Sequence, residues 1–146
     1  MIVKRRNLLM LLLAGLLAPA RALAAAWNQD AFGAKNAGDA LKTLGSGDAA
    51  PSNALLIEAP QIAENGAVVP VEVVSNIPGT TSIVVLIDKN PFPLAGKFDF
   101  LEGALPYVKL NVKMGDTSDV RAVATAGGKH YVATREIKVT IGGCGG

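Results

Sequence analysis

The sequence contains one cysteine, Cys144, which stands between two pairs of glycines at the end of the chain. A thiolate is a strong nucleophile, and its sulfur can hold another sulfur compound in a covalent bond. The four flanking residues are Gly142, Gly143, Gly145 and Gly146. Because glycine has no Cβ, they impose no preferred backbone conformation and offer no apolar surface that could bury the thiol. The pattern predicts a flexible arm over residues 142–146 that presents Cys144 to solvent.

The rest of the sequence offers this thiol no catalytic partner. His130 is the only histidine and follows the glycine pair at 127–128, which is typical of a solvated residue in a hairpin. One histidine and one cysteine make neither a metal-ligand spacing nor a nucleophile–base arrangement. The carboxylates are scattered over strands and loops, at Asp88, Asp99, Glu102, Asp116, Asp119 and Glu136. The sequence therefore predicts no catalytic residue, no metal site and no bound cofactor.

A thiol without activating neighbours needs help from another protein. An unperturbed cysteine has a pKa of about 8.5, so only a few per cent is thiolate at pH 7. The terminal carboxylate, two residues beyond Cys144, would disfavour the anion further. Activation must then come from whatever the arm enters, and glycines on both sides suit a narrow channel. These features predict a carrier whose thiol is acted on by partner enzymes, so that the chain itself is not an enzyme.

Two other classes of function remain open from the residues alone. Cys144 could form an intermolecular disulfide, which would make the chain an exported interaction module. Alternatively, Gly145 and Gly146 could act as in ubiquitin-like sulfur carriers, which form a thiocarboxylate at a terminal Gly-Gly. That alternative fits less well, because those carriers are cytoplasmic β-grasp domains and this chain begins with an export signal.

Residues 1–26 have the three parts of an export signal: a basic start, an apolar run at 8–17, and small residues at 22–26. The apolar run is shorter than the roughly 20 residues that span a bilayer, so no membrane anchor is predicted. Arg5 and Arg6, followed by Asn-Leu-Leu, resemble a twin-arginine signal, which exports folded proteins. General secretion is the alternative route. Either route predicts a periplasmic protein.

The charge of the chain excludes one class of partner. The whole sequence has a net charge of +2, but residues 1–26 hold four of its 14 basic residues and no acidic ones. The remainder has ten basic and 12 acidic residues, a net charge of −2. Without a cluster of Lys and Arg, it is not expected to bind nucleic acid. About 120 residues are enough for one domain with a core.

The segment 27–45 is predicted to be an N-terminal helix. Asn28 or Asp30 could cap its start, apolar residues recur at helical spacing as far as Leu44, and Gly45 stands where a helix ends. The next residues, up to position 53, are rich in Gly, Ser, Asp and Pro and are interpreted as a linker.

Short β runs broken by turn residues follow, and in one of them Val69, Val71 and Val73 alternate with Pro70 and Glu72. The predicted strands are 55–59, 68–75, 83–88, 97–101, 107–114, 120–125 and 130–141, and the last two flank a hairpin turn at 126–129. Pro70 cannot donate a hydrogen bond to a neighbouring strand, so it is expected at an edge or at a bulge, and its strand is a candidate for an outer position. Strands at this spacing, with no helix between them, predict an immunoglobulin-like antiparallel β-sandwich over residues 46–141.

The arm with its lone cysteine, the export signal, the helix and the strand pattern together resemble the SoxY family, the sulfur-carrier subunits of the periplasmic thiosulfate-oxidising Sox system. The resemblance implies that Cys144 holds thiosulfate-derived intermediates covalently. It implies partner enzymes: a c-type cytochrome that attaches thiosulfate oxidatively, a dimanganese hydrolase that releases sulfate and, in some systems, a sulfane dehydrogenase. It also implies a heterodimer with SoxZ, a β-sandwich subunit without a signal that would be exported bound to its partner.

Overall fold

The structure is a computed structural model that describes residues 27–140. The predicted export signal, and nearly all of the segment beyond the last strand, lie outside these residues. Two helices, α1 (Gln29–Gly33) and α2 (Ala37–Thr43), come first. The strands that follow in the described range are β1 (Ala50–Pro51), β2 (Leu55–Glu58), β3 (Ile62–Ala63), β4 (Val69–Ser75), β5 (Thr80–Ile87), β6 (Leu94–Asp99), β7 (Tyr107–Val112), β8 (Ser118–Ala126) and β9 (Lys129–Val139).

The strands form two sheets that pack face to face. The larger sheet has the order β1-β9-β8-β5-β6, with β3 also paired to β9, and the smaller sheet has the order β2-β4-β7. Every ladder between the longer strands is antiparallel, whereas the two-residue strands β1 and β3 run parallel to β9. The predicted antiparallel β-sandwich is confirmed, and all seven predicted strands are present, as β2 and β4 to β9.

The main core lies between the sheets and follows from the alternation of side chains along each strand. In β4, Val69, Val71 and Val73 are fully buried, while Pro70 and Glu72 point outward. The same period of two places one face of β5 and of β8 in this core. The alternating valines that predicted β4 are therefore part of the core that holds the two sheets together.

Strand β5 is buried on both faces. Val84 and Leu86 point away from the main core and join a second apolar cluster with Ala40 and Leu41 of α2. The helices therefore cover the outer face of the larger sheet, which explains why this strand is a continuous apolar run rather than an alternating one.

The N-terminal helical segment is divided in two. The sequence predicted one helix over 27–45, but Asn36 has an extended backbone (φ −143°) and its side chain accepts a hydrogen bond of 2.8 Å from the Asp39 N–H. Asn28 caps α1 in the same way through the Ala31 N–H, at 3.0 Å. Asparagine competes for backbone donors in this manner, which favours a new helix start over a continued helix. Gly45 follows α2 with a positive φ of 72°, as predicted for a helix end.

The expected outer position of β4 is wrong, because β4 is the central strand of the smaller sheet. Strand β2 pairs only with residues 72–75 of β4, so Pro70 has just one neighbour in the sheet, Asn111 of β7. The proline therefore lies at a local edge of a central strand, where a missing N–H leaves no partner unsatisfied. Pro70 itself is thus at an edge, although the strand that contains it is not.

The turn between β8 and β9 is formed by two glycines. Gly127 and Gly128 have φ values of 57° and 73°, which is the conformation that a two-residue type I′ turn requires, and they join β8 to β9 as predicted. No helix within residues 27–140 has the length and apolar character that crossing a membrane requires.

Candidate functional site

The predicted site residues lie outside the described part of the chain. This holds for Cys144, for the arm glycines Gly142, Gly143, Gly145 and Gly146, and for Arg5 and Arg6 of the export signal. The structure instead defines the point from which the arm departs. We call residues 138–140, at the end of β9, the arm base.

The arm base is hydrogen-bonded on both sides. Towards β3, the Lys138 N–H donates to the Gln61 carbonyl at 3.0 Å and the Thr140 N–H donates to the Ala63 carbonyl at 3.1 Å. Towards the opposite side, the Val139 N–H donates to Thr117 Oγ1 at 3.0 Å. All three successive N–H groups thus have partners, so the backbone is fixed up to the last described residue.

A glycine allows a loop to pack closely against this point. The Met114 N–H donates to the Gly66 carbonyl at 2.7 Å. A Cβ on Gly66 would overlap the carbonyl oxygen of Met114 and would lie 2.9 Å from Val139 Cγ1. Only glycine permits this approach, and the loop after β3 is consequently held against both the segment that follows β7 and the arm base.

The loop between β5 and β6 is held at the same end of the sandwich. The Lys89 N–H donates to Ser118 Oγ at 3.0 Å, and Asn90 Nδ2 donates to the Lys113 carbonyl at 2.7 Å. Arg121 donates two hydrogen bonds to the Asp88 carboxylate, at 3.3 and 2.5 Å. We use the name arm end for the arm base together with the segments 61–67, 88–93 and 113–118. Hydrogen bonds join all of these segments into one surface.

His130 lies at the other end of the molecule. It pairs with Thr125 across the hairpin, with 3.0 Å between Thr125 Oγ1 and His130 Nδ1. Thr140 is ten residues further along the chain, with continuous strand as far as Val139, which is about 33 Å at the usual rise. Four residues from Thr140 to Cys144 span at most about 14 Å. His130 therefore cannot act as a base on the thiol of the same chain.

The described residues show neither a metal-binding cluster nor an unpaired buried polar side chain. Within residues 27–140, no group of three or more His, Cys, Asp or Glu side chains could hold a metal ion. In the same range, every buried side-chain nitrogen or oxygen has a hydrogen-bond partner, so none is left pointing at a missing ligand.

The shifted pKa values belong to one cluster on the outer face of the smaller sheet. The Lys109 ammonium, 2.7 Å from Glu72 Oε1, and the Tyr107 hydroxyl, which donates to Oε2 at 2.7 Å, lower the pKa of Glu72. The Glu72 carboxylate in turn raises the pKa of Tyr107 and that of Lys109. Each shift favours the charge state that the group already has near neutral pH. None of the three is thereby prepared to exchange a proton there.

Sequence reasoning missed Thr117, Gly66 and the strand that borders the arm base. Strand β3 has only two residues, which is too short for an alternating pattern to appear. Thr117 contacts a residue 22 positions away, which no local pattern reveals. The Asn65-Gly66 pair is a turn signal that could have located the loop, although not its contact with Val139.

We predict that Thr117→Val will loosen the arm base. The change keeps the side-chain shape and removes the acceptor of the Val139 N–H, which should cost about 1 kcal/mol or more of unfolding free energy. Amide hydrogen exchange at Val139 should become faster, and Thr117→Ser should restore it. The control is Thr81→Val, which removes an exposed hydroxyl bond to the Thr125 carbonyl at the other end of the sheet. Unchanged protection of Val139 would contradict the contact.

We also predict a pH-dependent contribution from Glu72. Because its folded-state pKa is lowered, the wild type should exceed Glu72→Gln in unfolding free energy above the unfolded glutamate pKa of about 4.3. This difference should disappear as the pH falls through the lower folded-state pKa. Urea unfolding of both proteins between neutral and acidic pH measures it. A difference that stays constant with pH would show that the ion pair with Lys109 is not its source.

Three comparisons with known proteins bear on the identity of the chain. No curated protein is similar enough to count as a match. A chain from a structural study of T cell activation by the bacterial superantigen toxic shock syndrome toxin-1 is 14% identical, with a TM-score of 0.43, covering 59% of this chain and 99% of that one. An engineered protein is 17% identical, with a TM-score of 0.42, covering 60% and 20% respectively. Neither likeness is close enough to support an argument.

Two matches identify the family of the chain. A family model described as sulfur oxidation protein SoxY matches residues 41–144. The solved structure of the sulfur carrier protein SoxY from Chlorobium limicola f thiosulfatophilum is 43% identical, covers 70% of this chain and 96% of that one, and has a TM-score of 0.63. The family match spans more than half of the chain and ends at Cys144 itself, and the structural match includes nearly the whole Chlorobium protein. The chain therefore belongs to the SoxY family.

Proposed function

We propose that this protein is a periplasmic sulfur carrier that holds thiosulfate-derived intermediates on Cys144 and presents them to the enzymes of sulfur oxidation. The observation that carries the proposal is that the SoxY family match extends to Cys144, the only cysteine of the chain. The hydrogen-bonded arm base supports it, because a carrier needs a firm body from which a short segment can reach into other proteins.

In the loading step, a bond forms between the sulfur of Cys144 and the sulfane sulfur of thiosulfate. The thiol loses its proton, and the two sulfur compounds together give up an electron pair, which a c-type cytochrome accepts. A dimanganese hydrolase then adds water at the sulfone group, which leaves as sulfate, and a persulfide remains on Cys144. In systems that have one, a sulfane dehydrogenase oxidises the remaining sulfur.

The body of the protein supports a carrier without catalytic groups of its own. His130 is too far from the arm for its ring to reach Cys144 in the same chain, and the groups with shifted pKa values keep their usual charge near neutral pH. Deprotonation of the thiol then falls to the partner enzyme. This division fits a short arm that enters an active site built elsewhere.

The proposal includes a heterodimer with a SoxZ-like β-sandwich subunit and export through a twin-arginine signal at Arg5 and Arg6. The twin-arginine route moves folded proteins, so a partner without a signal could cross the membrane while bound to this chain. The ubiquitin-like alternative receives no support, because the core of this protein lies between two stacked sheets, unlike that of a β-grasp domain.

The direct test is Cys144→Ser in a reconstituted system with thiosulfate and the c-type cytochrome. The variant should abolish both thiosulfate-dependent reduction of the cytochrome and the mass increase of the carrier, because serine cannot form the S–S bond. Thr140→Ser, a conservative change at the arm base that keeps the thiol, is the control. If Cys144→Ser lost only disulfide-linked dimers and kept full thiosulfate oxidation, the interaction-module alternative would be correct.

A second prediction concerns the glycines of the arm. Gly143→Val and Gly145→Val should lower turnover by the partner enzymes, since the added side chain widens a segment that must enter a narrow channel. Gly143→Ala should have a smaller effect. Urea unfolding and the alkylation rate of the thiol by a small reagent should match the wild type, which separates bulk from folding or reactivity. Equal turnover for both valine variants would exclude threading through a narrow channel.

A further inference from the structure

We propose that the arm end of the sandwich is the docking surface for the enzyme that oxidatively loads Cys144, with Ile62 and Phe92 as its apolar contacts. The inference rests on the proposed carrier function and adds to it the surface, outside the arm, that this enzyme recognises. The partner is an oxidoreductase whose active-site channel opens through an apolar rim.

The length of the arm makes this contact necessary. Cys144 is four residues beyond Thr140 in the sequence, so the Cα atoms of these two residues are at most about 14 Å apart. The arm base cannot contribute further reach, because its three N–H groups are bonded to β3 and to Thr117. An active site that lies several ångströms below the surface of its enzyme can receive the thiol only if that surface comes against the arm end.

Ile62 stands directly beside the arm base. It is the register partner of Lys138 in the parallel pair of β3 with β9. Its neighbour Ala63 points into the main core, so the Ile62 side chain points to the outer face, where it remains 55% exposed. Any protein that encloses the start of the arm would therefore cover this side chain.

Phe92 is a second apolar contact on a loop that is already ordered. Its ring is 51% exposed, and Lys35 Nζ lies 3.7 Å from the ring centroid. The loop is fixed by the bonds of Lys89 and Asn90 to the segment 113–118. An aromatic ring that is held in place loses little conformational freedom on binding, which is typical of residues that dominate an interface.

The opposite end of the sandwich provides a matched control. Leu101 is 86% exposed and lies in the loop after β6. The end of β6 pairs with Ser82, which is level with Thr125 and, through it, with His130 at the start of β9. This loop is therefore about one full length of β9, roughly 30 Å, from the arm base. An enzyme that holds the thiol does not need to touch it.

The test uses the mature carrier with its partner subunit, thiosulfate and the purified loading enzyme. Initial rates are measured against carrier concentration for the wild type, Ile62→Ala, Phe92→Ala, the double variant and Leu101→Ala. We expect the double variant to raise the KM for the carrier about tenfold with kcat nearly unchanged, each single variant to raise it less, and Leu101→Ala to have no effect. All three side chains are exposed, so unfolding free energies should stay close to the wild type.

The outcomes separate this inference from the carrier function. If the wild type is not loaded at all, the proposed function itself fails. If the wild type is loaded and the double variant has the same KM as Leu101→Ala, the docking surface is excluded while the carrier function stands. Alkylation of Cys144 by a small reagent should proceed at one rate in all variants. Slower alkylation in the arm-end variants would mean that the substitutions change the reactivity of the thiol itself. That result would also contradict the proposed docking surface.

Discussion

The N–H groups at 138–140, where β9 ends, donate alternately to two different parts of the protein, and the proposed carrier role depends on this arrangement. Lys138 and Thr140 donate to the β3 side, and Val139 donates to Thr117 on the other side. The chain is thereby held until four residues before Cys144. A looser end would lengthen the reach of the thiol but would leave its direction undefined. A fixed origin with a short arm confines the thiol to a small volume in front of one surface.

The rest of the fold provides the rigidity that such an origin requires. Valines of β4 join the two sheets, and the helices cover the outer face of β5, so the larger sheet is packed on both sides. The titratable groups of this body that drew attention are not placed to act on the thiol. His130 lies at the far hairpin, and the Glu72 cluster has pKa shifts that reinforce its ordinary charges. These features agree with the proposed carrier role, in which the partner enzymes supply the catalytic groups.

The sequence predicted the features that have a strong local signal. Alternating valines located β4, the pair of glycines located the last hairpin, and an isolated cysteine drew attention to the arm. It failed where a neighbour decides the outcome. The missing N–H of Pro70 predicted an outer strand, and only the structure reveals that β2 ends before it reaches this residue. Asn36 divides the predicted helix because its side chain caps the start of a new one. The partners of the arm base could not be found, because Thr117 and β3 meet β9 only through tertiary contacts.

The central claim is that Cys144 carries sulfur cargo, and the most direct measurement is the mass of its C-terminal peptide from protein isolated from cells oxidising thiosulfate. A carrier at work should yield a mixture of the free thiol and forms with thiosulfate-derived sulfur on Cys144, and these forms should disappear on treatment with a reducing agent. A peptide that is always found as the free thiol, or only as a disulfide with another protein, would contradict the claim.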